Sequence, residues 1–368
     1  MKIICSKESI LKVLGIAESV ISTKNSISIL SNVLIETING KVKISASETS
    51  LNFFAEINAE IIEEGSVSVY CNRLYSIIRK MDGDEIDIES NDQNVVSVKP
   101  KDSNKCNYNL KGIDSAKFPP IKLSDDLNFF SIKQTIFTEM TRKTIFSVSA
   151  SESRRFVSGI LFEKTDNNIK MISTDGKRLA FISKEVSSLN IDNYSIIVPI
   201  KILTEILKLC SDNGDIQIAF SNKNISMKID NFNFISNLLE GNFPPYEKVI
   251  PKDQTGYLLV DKKVFYSSLD RISLMGDKES HKIILSISKN QMKIFTENIA
   301  FGSGEEIIPV EYDGEKLNIA LNYSFVTEVL NVISKEKVII EFKDPQSTIT
   351  IREKDDNDYI YIMMPMSI

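Results

Sequence analysis

The same short patterns occur three times along this chain, about 125 residues apart. A strand pattern at Val42-Lys43-Ile44 recurs at Ile169-Lys170-Met171 and at Met292-Lys293-Ile294, after 127 and then 123 residues. A Phe-Pro-Pro sequence that ends at Pro120 returns at Pro245. This period is too long for one unit of a solenoid and is typical of a whole domain. The 368 residues therefore predict three copies of one domain, which favour a curved or closed assembly.

Each copy is predicted to run helix, strands, helix, strands, which makes an α+β domain of two similar halves. The first helix follows Ser6, a plausible N-cap, in the first copy, and Asp261 precedes the apolar positions of the corresponding helix in the third. In the second copy, Ser131 to Gln134 has the spacing of a capping box. The second helices are predicted at about 72–82, 200–212 and 322–335.

Turn-forming and polar residues predict where the β-hairpins turn and where the domains begin and end. Asn39-Gly40 is the strongest hairpin pattern. Asn167-Asn168 and Asn290-Gln291 are predicted to occupy the corresponding turns. Polar connectors predict three domains, at 1–125, 126–253 and 254–368.

Residues suited to catalysis are scarce. His281 is the only histidine, and its polar neighbours predict a solvated loop. The chain has no phosphate-binding glycine loop and no dinucleotide fingerprint. Its four cysteines include no Cys-x-x-Cys pair, so neither a zinc site nor a disulfide framework is predicted. We expect a binding or structural protein with no catalytic residue, metal or cofactor.

The apolar runs are too short to span a bilayer. The first residues also lack the apolar region of a signal peptide. We therefore expect a cytoplasmic protein with no membrane partner.

The net charge of −6 argues against a nucleic-acid partner, but the distribution of charge argues for one. The helical windows hold 15 Lys or Arg against 9 Asp or Glu, and the rest of the chain holds 29 against 41. Those windows are 7–24, 72–82, 132–147, 200–212, 261–276 and 322–335. Basic helices and acidic sheets are expected where helices face a polyanion. Chance scatter of charge remains the alternative.

Three motifs, in order along the chain, match the sequence pattern of one bacterial protein family. Residues 173–180 read S-T-D-G-K-R-L-A, where the family typically has A-T-D-G-H-R-L-A. Residues 239–246 read L-E-G-N-F-P-P-Y, like the family's L-x-G-x-F-P-x-Y. The chain ends in M-P-M-S-I, similar to the family's M-P-M-R-L. Together they resemble the motifs of the bacterial DNA polymerase III β subunit, the sliding clamp, and the resemblance extends over essentially the whole chain.

The resemblance implies three clamp domains, each with two helices packed on antiparallel sheets, and a head-to-tail ring of two chains with its helices inside. Helices about 10 Å across give a circumference of roughly 60 Å for six and roughly 120 Å for twelve. The corresponding holes are about 9 Å and about 28 Å wide. Only the larger admits duplex DNA, so the ring is expected to be a dimer that slides on DNA without reading its sequence.

Partner sites also follow from the resemblance. The residues expected to contact DNA are basic: Lys24, Arg73, Arg154, Arg155 and Lys201. A hydrophobic cleft between the second and third domains is expected to bind short peptides of the polymerase, the clamp-loader ATPase and other proteins with a clamp-binding motif. Its residues are expected to be Val157, Thr174, Gly176, Lys177, Arg178, Leu179, Pro244, Lys248, Val249, Ile362, Met363, Met364, Pro365 and Met366.

The dimer interface is expected to join the first domain of one chain to the third domain of the other. The residues implied are Lys105 and Tyr108 on one side and Leu274, Met275, Glu305 and Glu306 on the other. Three departures from the family pattern (Lys177 for His, Lys248 for Arg and Ser367 for Arg) affect the expected peptide preference more than the existence of the cleft.

Two alternatives remain. A scaffold of the same fold could bind peptides without loading on DNA, which loss of the basic lumen residues would favour. An enzyme could instead use Asp175 and Lys177 in a cleft, in which case replacing Asp175 would abolish turnover.

Overall fold

The computed structural model of this protein describes residues 1–21, 29–102, 106–121, 127–149, 155–186, 193–298 and 302–368. Six α-helices lie in these ranges: α1 Lys7–Val20, α2 Cys71–Lys80, α3 Gln134–Ile145, α4 Ile200–Leu207, α5 Lys262–Ser273 and α6 Tyr323–Val332. Each predicted domain contains two of them, as expected. None of the described helices is both long and apolar enough to cross a membrane.

Strands make up most of the described fold. The first repeat contains β1 Lys2–Ser6, β2 Asn32–Ile38, β3 Lys41–Ser47, β4 Leu51–Ile57, β5 Ala59–Glu63, β6 Ser66–Tyr70, β7 Glu85–Ser90, β8 Val95–Pro100 and β9 Tyr108–Ile113. The second contains β10 Phe130–Lys133, β11 Gly159–Thr165, β12 Asn168–Thr174, β13 Arg178–Glu185, β14 Tyr194–Pro199, β15 Asp215–Phe220, β16 Asn224–Ile229 and β17 Phe232–Asn237. The third contains β18 Gly256–Asp261, β19 Lys282–Ser288, β20 Gln291–Asn298, β21 Gly302–Pro309, β22 Leu317–Asn322, β23 Lys337–Phe342, β24 Ile349–Glu353 and β25 Tyr359–Met363.

The first helices of the first and third repeats begin with a side-chain N-cap, and that of the second repeat does not begin as predicted. The Ser6 hydroxyl accepts from the backbone N–H of Ser9, and the Asp261 carboxylate accepts from that of Val264. The capping box predicted at Ser131 is wrong, because this residue lies in β10 opposite Gln217 of β15. A long-range strand pairing there overrides a local helix-start pattern, and α3 begins at Gln134.

The hairpin turns are nearly as predicted. Asn39 and Gly40 have φ angles of 51° and 75°, the left-handed region that a two-residue turn needs. The two corresponding turns lie one residue earlier than predicted, at 166–167 and 289–290. In each, one residue takes the positive φ (52° at Asp166 and 58° at Asn290). The helices α4 and α6 also end several residues before the predicted ends at 212 and 335.

The chain divides into two compact units. Unit 1 comprises Met1–Thr135 and Lys201–Leu238, and its sheet has the strand order β10-β15-β16-β17-β4-β3-β2-β6-β9-β8-β7-β1-β5. Unit 2 comprises Ile136–Ile200 and Leu239–Ile368. It contains one sheet of order β14-β11-β12-β13-β25-β24-β23-β18 and another of order β21-β20-β19-β22.

Each unit contains one place where strands of successive repeats pair. In unit 1, β4 of the first repeat pairs antiparallel with β17 of the second, and we call this the first seam. In unit 2, β13 of the second repeat pairs in the same way with β25 of the third, and we call this the second seam. In both seams the later repeat contributes its last strand, so its sheet continues the sheet of the earlier one.

Candidate functional site

The second seam divides the expected cleft residues between two faces of a sheet. Leu179 lies opposite Ile362, and Arg178 lies opposite Met363. Directly opposed residues in antiparallel strands share a face, and successive residues alternate between faces. Leu179 and Ile362 therefore lie on one face, while Arg178 and Met363 lie on the other.

The face of Leu179 and Ile362 bears an apolar cluster. Its buried members are Leu161, Ile172, Leu179, Ile197, Tyr246 and Ile362. Partly buried side chains pack against them, namely Phe156, Phe181, Leu239, Phe243, Ile250 and Ile360. We call these twelve residues the apolar cluster. Most of them were not identified from the sequence, although Tyr246 lies in the Phe-Pro-Pro-Tyr motif and Phe181 follows Leu179 at strand spacing.

One side of the apolar cluster is a tight turn at Thr174–Arg178, which we call the cleft turn. The Thr174 hydroxyl donates to the Arg178 carbonyl (2.6 Å) and accepts from the Gly176 N–H (3.0 Å). The Asp175 carboxylate accepts from the backbone N–H groups of Lys177 and Arg178. These contacts hold Gly176 and Lys177 exposed beside the cluster. Asp175 thus has a structural explanation that needs no catalytic role.

The other side is the segment Leu239–Ile250, which we call the strap. Tyr246 anchors it, because the Tyr246 hydroxyl donates to Glu163 Oε2 (2.8 Å) and its ring lies 5.9 Å from that of Phe181. Burial and the neighbouring Glu163 carboxylate raise the pKa of the Tyr246 phenol, which remains a proton donor. The strap leaves Lys248 exposed and Val249 46% exposed.

The C-terminal residues run along the same region. The Met364 N–H donates to the Lys177 carbonyl (3.0 Å), and the Met366 N–H donates to the Ala320 carbonyl (2.8 Å). Met364 is 59% exposed, and Pro365 is half-buried. Flexible thioether side chains next to aliphatic and aromatic ones suit an apolar ligand of variable shape.

The expected cleft residues therefore fall into two groups. The cleft turn, the strap and the C-terminal residues place Lys177, Lys248, Val249 and Met364 exposed around the apolar cluster. Arg178 and Met363 are buried on the opposite face, and Val157 is buried, its carbonyl accepting from the Ser149 N–H.

The expected DNA contacts are only partly described. Arg73 is exposed in the first turn of α2, whose exposed Arg79 and Lys80 add to its positive charge. Lys201 is the second residue of α4, and its ammonium donates to the Val20 carbonyl (2.7 Å) and lies 3.3 Å from the Glu48 carboxylate. Lys24, Arg154 and the Arg155 side chain lie outside the described residues.

The described residues expected at a dimer interface lie on β21, on β9 and just after α5. The β21 strand is an edge of its sheet in the described chain, and it carries Glu305 and Glu306. Next to it, Leu274 is 81% exposed and Met275 lies over Gly304. In the first repeat, Tyr108 at the start of β9 is 45% exposed. Lys105 lies outside the described residues.

Family models of the DNA polymerase III beta subunit match along the chain. The N-terminal domain matches residues 1–122, the central domain residues 131–245 and the C-terminal domain residues 247–367. The chain belongs to this family.

Relatives and solved structures of this family match over the full length. The beta sliding clamp of Treponema pallidum is 31% identical over 370 residues, which is 100% of this chain and 99% of the relative. The crystal structure of the beta subunit of Pseudomonas aeruginosa has a TM-score of 0.94 at 26% identity and covers 100% of both chains. A second structure of that clamp, bound to griselimycin, has the same TM-score, identity and coverage.

Proposed function

We propose that this β subunit is the non-catalytic processivity clamp of a replicative DNA polymerase. It would encircle duplex DNA as a head-to-tail homodimer and bind peptides of the polymerase, clamp loader and other partners at the apolar cluster. The observation that carries the proposal is the repeated strand pairing of the two seams. By analogy, β21 of one chain would pair with the first part of β9 (Tyr108–Lys111) of another chain, where β9 pairs with β8 and not with β6, to form a third seam.

The hydrogen-bond registers define the equivalent residues. Phe53, Ala180 and Gly304 lie opposite Ala46, Ser173 and Thr296 in the three corresponding hairpins. Likewise Tyr108, Phe234 and Tyr361 lie opposite Val98, Met227 and Ile351 in the last hairpins. Phe53 pairs with Phe234 in the first seam, and Ala180 pairs with Tyr361 in the second. By the same rule, Gly304 of one chain would pair with Tyr108 of the other.

The second seam also predicts what would cover Tyr108. There, the Phe146 ring beyond α3 lies 5.6 Å from the Tyr361 ring. Phe137 of α3 and Phe265 of α5 are buried at equivalent positions of their helices. Phe146 and Leu274 each lie nine residues after them, so Leu274 is equivalent to Phe146. An 81% exposed Leu274 and a 45% exposed Tyr108 are costly in water and would be buried together in the third seam.

Charge would add to this apolar contact. Glu305 and Glu306 already pair with Lys293 and Arg271 of their own chain, and both carboxylates lie on the edge strand. Lys105 of the other chain is the basic residue that we expect to approach them. Exposed ion pairs around an apolar centre suit an interface that must be stable and must also be able to open.

DNA would lie against the helices. Arg73 is an exposed cation in the first turn of an amphipathic helix and is suited to a phosphate contact. Lys24, Arg154 and Arg155 are proposed from the family pattern, and Lys201 would contact phosphate at some cost to its pairing with Glu48. Such contacts carry no sequence information and allow sliding.

Partner peptides would bind at the apolar cluster, between the cleft turn, the strap and the C-terminal residues. An apolar floor with a few polar groups around it is typical of peptide sites. We propose that griselimycin, the ligand of the related Pseudomonas aeruginosa clamp, occupies the same place in this chain. The domains are proposed at 1–125, 126–253 and 254–368, and the location is proposed to be the cytoplasm. The first boundary falls outside the described residues.

Retention on circular DNA tests this function. With its clamp loader and ATP, the protein should stay on nicked circular DNA during gel filtration and run off after the circle is cut. Equal retention on both substrates would contradict encirclement. No retention on either, together with griselimycin binding, would favour the alternative of a peptide-binding scaffold that does not load on DNA.

A further inference from the structure

We propose that Glu328 of α6, which lies outside the apolar cluster, is a positioning residue for peptide binding. It would act through Arg178, whose side chain holds the cleft turn from the opposite face of the sheet. This inference rests on the proposed peptide-binding function.

Arg178 is held by groups from three parts of unit 2. Its Nε donates to Asp175 Oδ2 (3.0 Å), its Nη2 donates to the Phe146 carbonyl (2.7 Å), and its Nη1 donates to Glu328. The guanidinium also stacks 4.1 Å from the Phe325 ring. The side chain is 7% exposed, so water cannot readily replace a lost partner.

The position of the cleft turn depends on this side chain. Arg178 is the last residue of the turn, and its carbonyl accepts from Thr174. The Lys177 carbonyl accepts from Met364, and Leu179 enters the apolar cluster directly after Arg178. A shift of Arg178 would therefore move one side of the cluster and the C-terminal residues together.

The first repeat shows that the fold does not require a charge at this place. The residue equivalent to Arg178 is Leu51, which lies opposite Ser236 just as Arg178 lies opposite Met363. Leu51 is 1% exposed. The Arg178 guanidinium is buried, whereas the Glu328 side chain is 37% exposed. An ion pair with a buried member is seldom more stabilising than apolar residues of similar size, but its fixed geometry can specify one conformation. The charged pair therefore occurs in the seam that bears the apolar cluster, where precise placement of the turn matters.

The test uses the full-length protein and griselimycin, with affinity measured by isothermal titration calorimetry. Glu328→Gln keeps the size of the side chain and removes its charge. We expect the dissociation constant of griselimycin to rise roughly tenfold in this variant, because the hydrogen bond between the charged Arg178 and residue 328 is weakened. Glu336→Gln removes the same charge from an exposed residue soon after the same helix and should leave the affinity unchanged. Met364→Ala, at the cluster itself, should also weaken binding.

A double-mutant cycle separates positioning from general loss of structure. If Glu328 acts through Arg178, Glu328→Gln should have no further effect in an Arg178→Leu background. Glu328→Asp, which keeps the charge, should restore part of the affinity. It serves as the decisive variant if Arg178→Leu fails to fold.

The outcomes are distinct. Unchanged affinity in Glu328→Gln with weakened binding in Met364→Ala would overturn the positioning role and leave the proposed function intact. An equal loss of affinity with and without Arg178 would also overturn it. Unchanged affinity in both single variants would place griselimycin elsewhere and contradict the peptide site itself.

Discussion

The two internal seams have the same strand pairing but different side chains. In the first, Phe53 lies 5.1 Å from Phe234 and 6.2 Å from Phe232, between ring centres. In the second, a smaller Ala180 lies opposite Tyr361. In each seam a lysine lies over the first aromatic residue of the strand from the later repeat. The Nζ of Lys12 is 5.1 Å from the centre of the Phe232 ring, and the Nζ of Lys143 is 5.0 Å from the centre of the Tyr359 ring. Lys12 is exposed, whereas the Lys143 side chain is 5% exposed.

The opposite faces of the seams differ more. In the second seam, Ile172, Leu179 and Ile197 belong to the apolar cluster. By register, the residues equivalent to them in the first seam are Ser45, Asn52 and Ser68. The side-chain Oδ1 of Asn52 accepts from the Ser47 hydroxyl. Leu34 and Ile235, which correspond to Leu161 and Ile362, are apolar on this face too. The three polar residues nevertheless leave less apolar area for a peptide than the second seam does. The same strand pairing thus joins two repeats in both seams, and in the second seam it also provides an apolar face that can bind a peptide.

The largest expected effect concerns the third seam. By the registers of the two internal seams, Cys106 of one chain would lie opposite Glu306 of the other, as Phe232 lies opposite Ala55 and Tyr359 opposite Ile182. Directly opposed residues have the separation that a disulfide needs. Mild oxidation of Glu306→Cys should therefore convert most of the protein to a covalent dimer on a non-reducing gel.

Glu305→Cys is the matched control, because its side chain lies on the other face of β21 and should give little product. Adding Cys106→Ser to Glu306→Cys should abolish the cross-link. A covalent dimer of similar yield from both positions would mean that the third seam does not follow the internal ones.

Features of the fold that depend on residues close together in the sequence were predictable, and features that depend on residues far apart were not. Helix stripes and the Asn39-Gly40 turn follow from local periodicity and backbone conformation, and they were predicted. Ser131 was assigned wrongly because its strand partner, Gln217, lies 86 residues further along the chain. The motif that contains Arg178 and Leu179 marked both as cleft residues, yet the register of β13 with β25 sends them to opposite faces. Alternation along a strand is visible in the sequence, but the face that bears the apolar cluster is determined only by tertiary packing.

The second prediction compares the two seam lysines. Lys143 lies 3.1 Å from Glu353, whose side chain is 2% exposed, and 3.1 Å from Glu139. Lys143→Met should lower the free energy of unfolding by about 3–5 kcal/mol, because it leaves a buried carboxylate without its cation. Lys12→Met should cost less than about 1 kcal/mol, the value of an exposed cation–ring contact. Urea denaturation of both variants measures the difference, and similar losses would contradict the distinction between the seams.

The smallest expected effects depend on pH. Hydrogen bonds from Arg271 hold the pKa of the Glu306 carboxyl below its usual 4.5. The contribution of this pair to stability is therefore complete above pH 4.5 and is lost as the pH falls through the lowered pKa. Burial opposes the charge of Lys143, but Glu139 and Glu353 outweigh it and raise the pKa of that ammonium above 10.5. Its contribution is complete below pH 10.5 and is lost as the pH rises through the raised pKa.

The edge of β21 and the second seam should therefore weaken at opposite ends of the pH scale. The difference in Tm between the wild type and Arg271→Gln should be present at neutral pH and vanish in acid, well below 4.5. The difference between the wild type and Lys143→Met should persist at neutral pH and shrink above 10.5. Because the Arg271 side chain is 59% exposed, added salt should reduce the contribution of its pair with Glu306, whereas the buried Lys143 network should be much less sensitive. If salt reduced the two differences in Tm equally, solvent would reach the second seam as freely as it reaches β21. The ion pairs of Lys143 could then not explain the stability of the second seam.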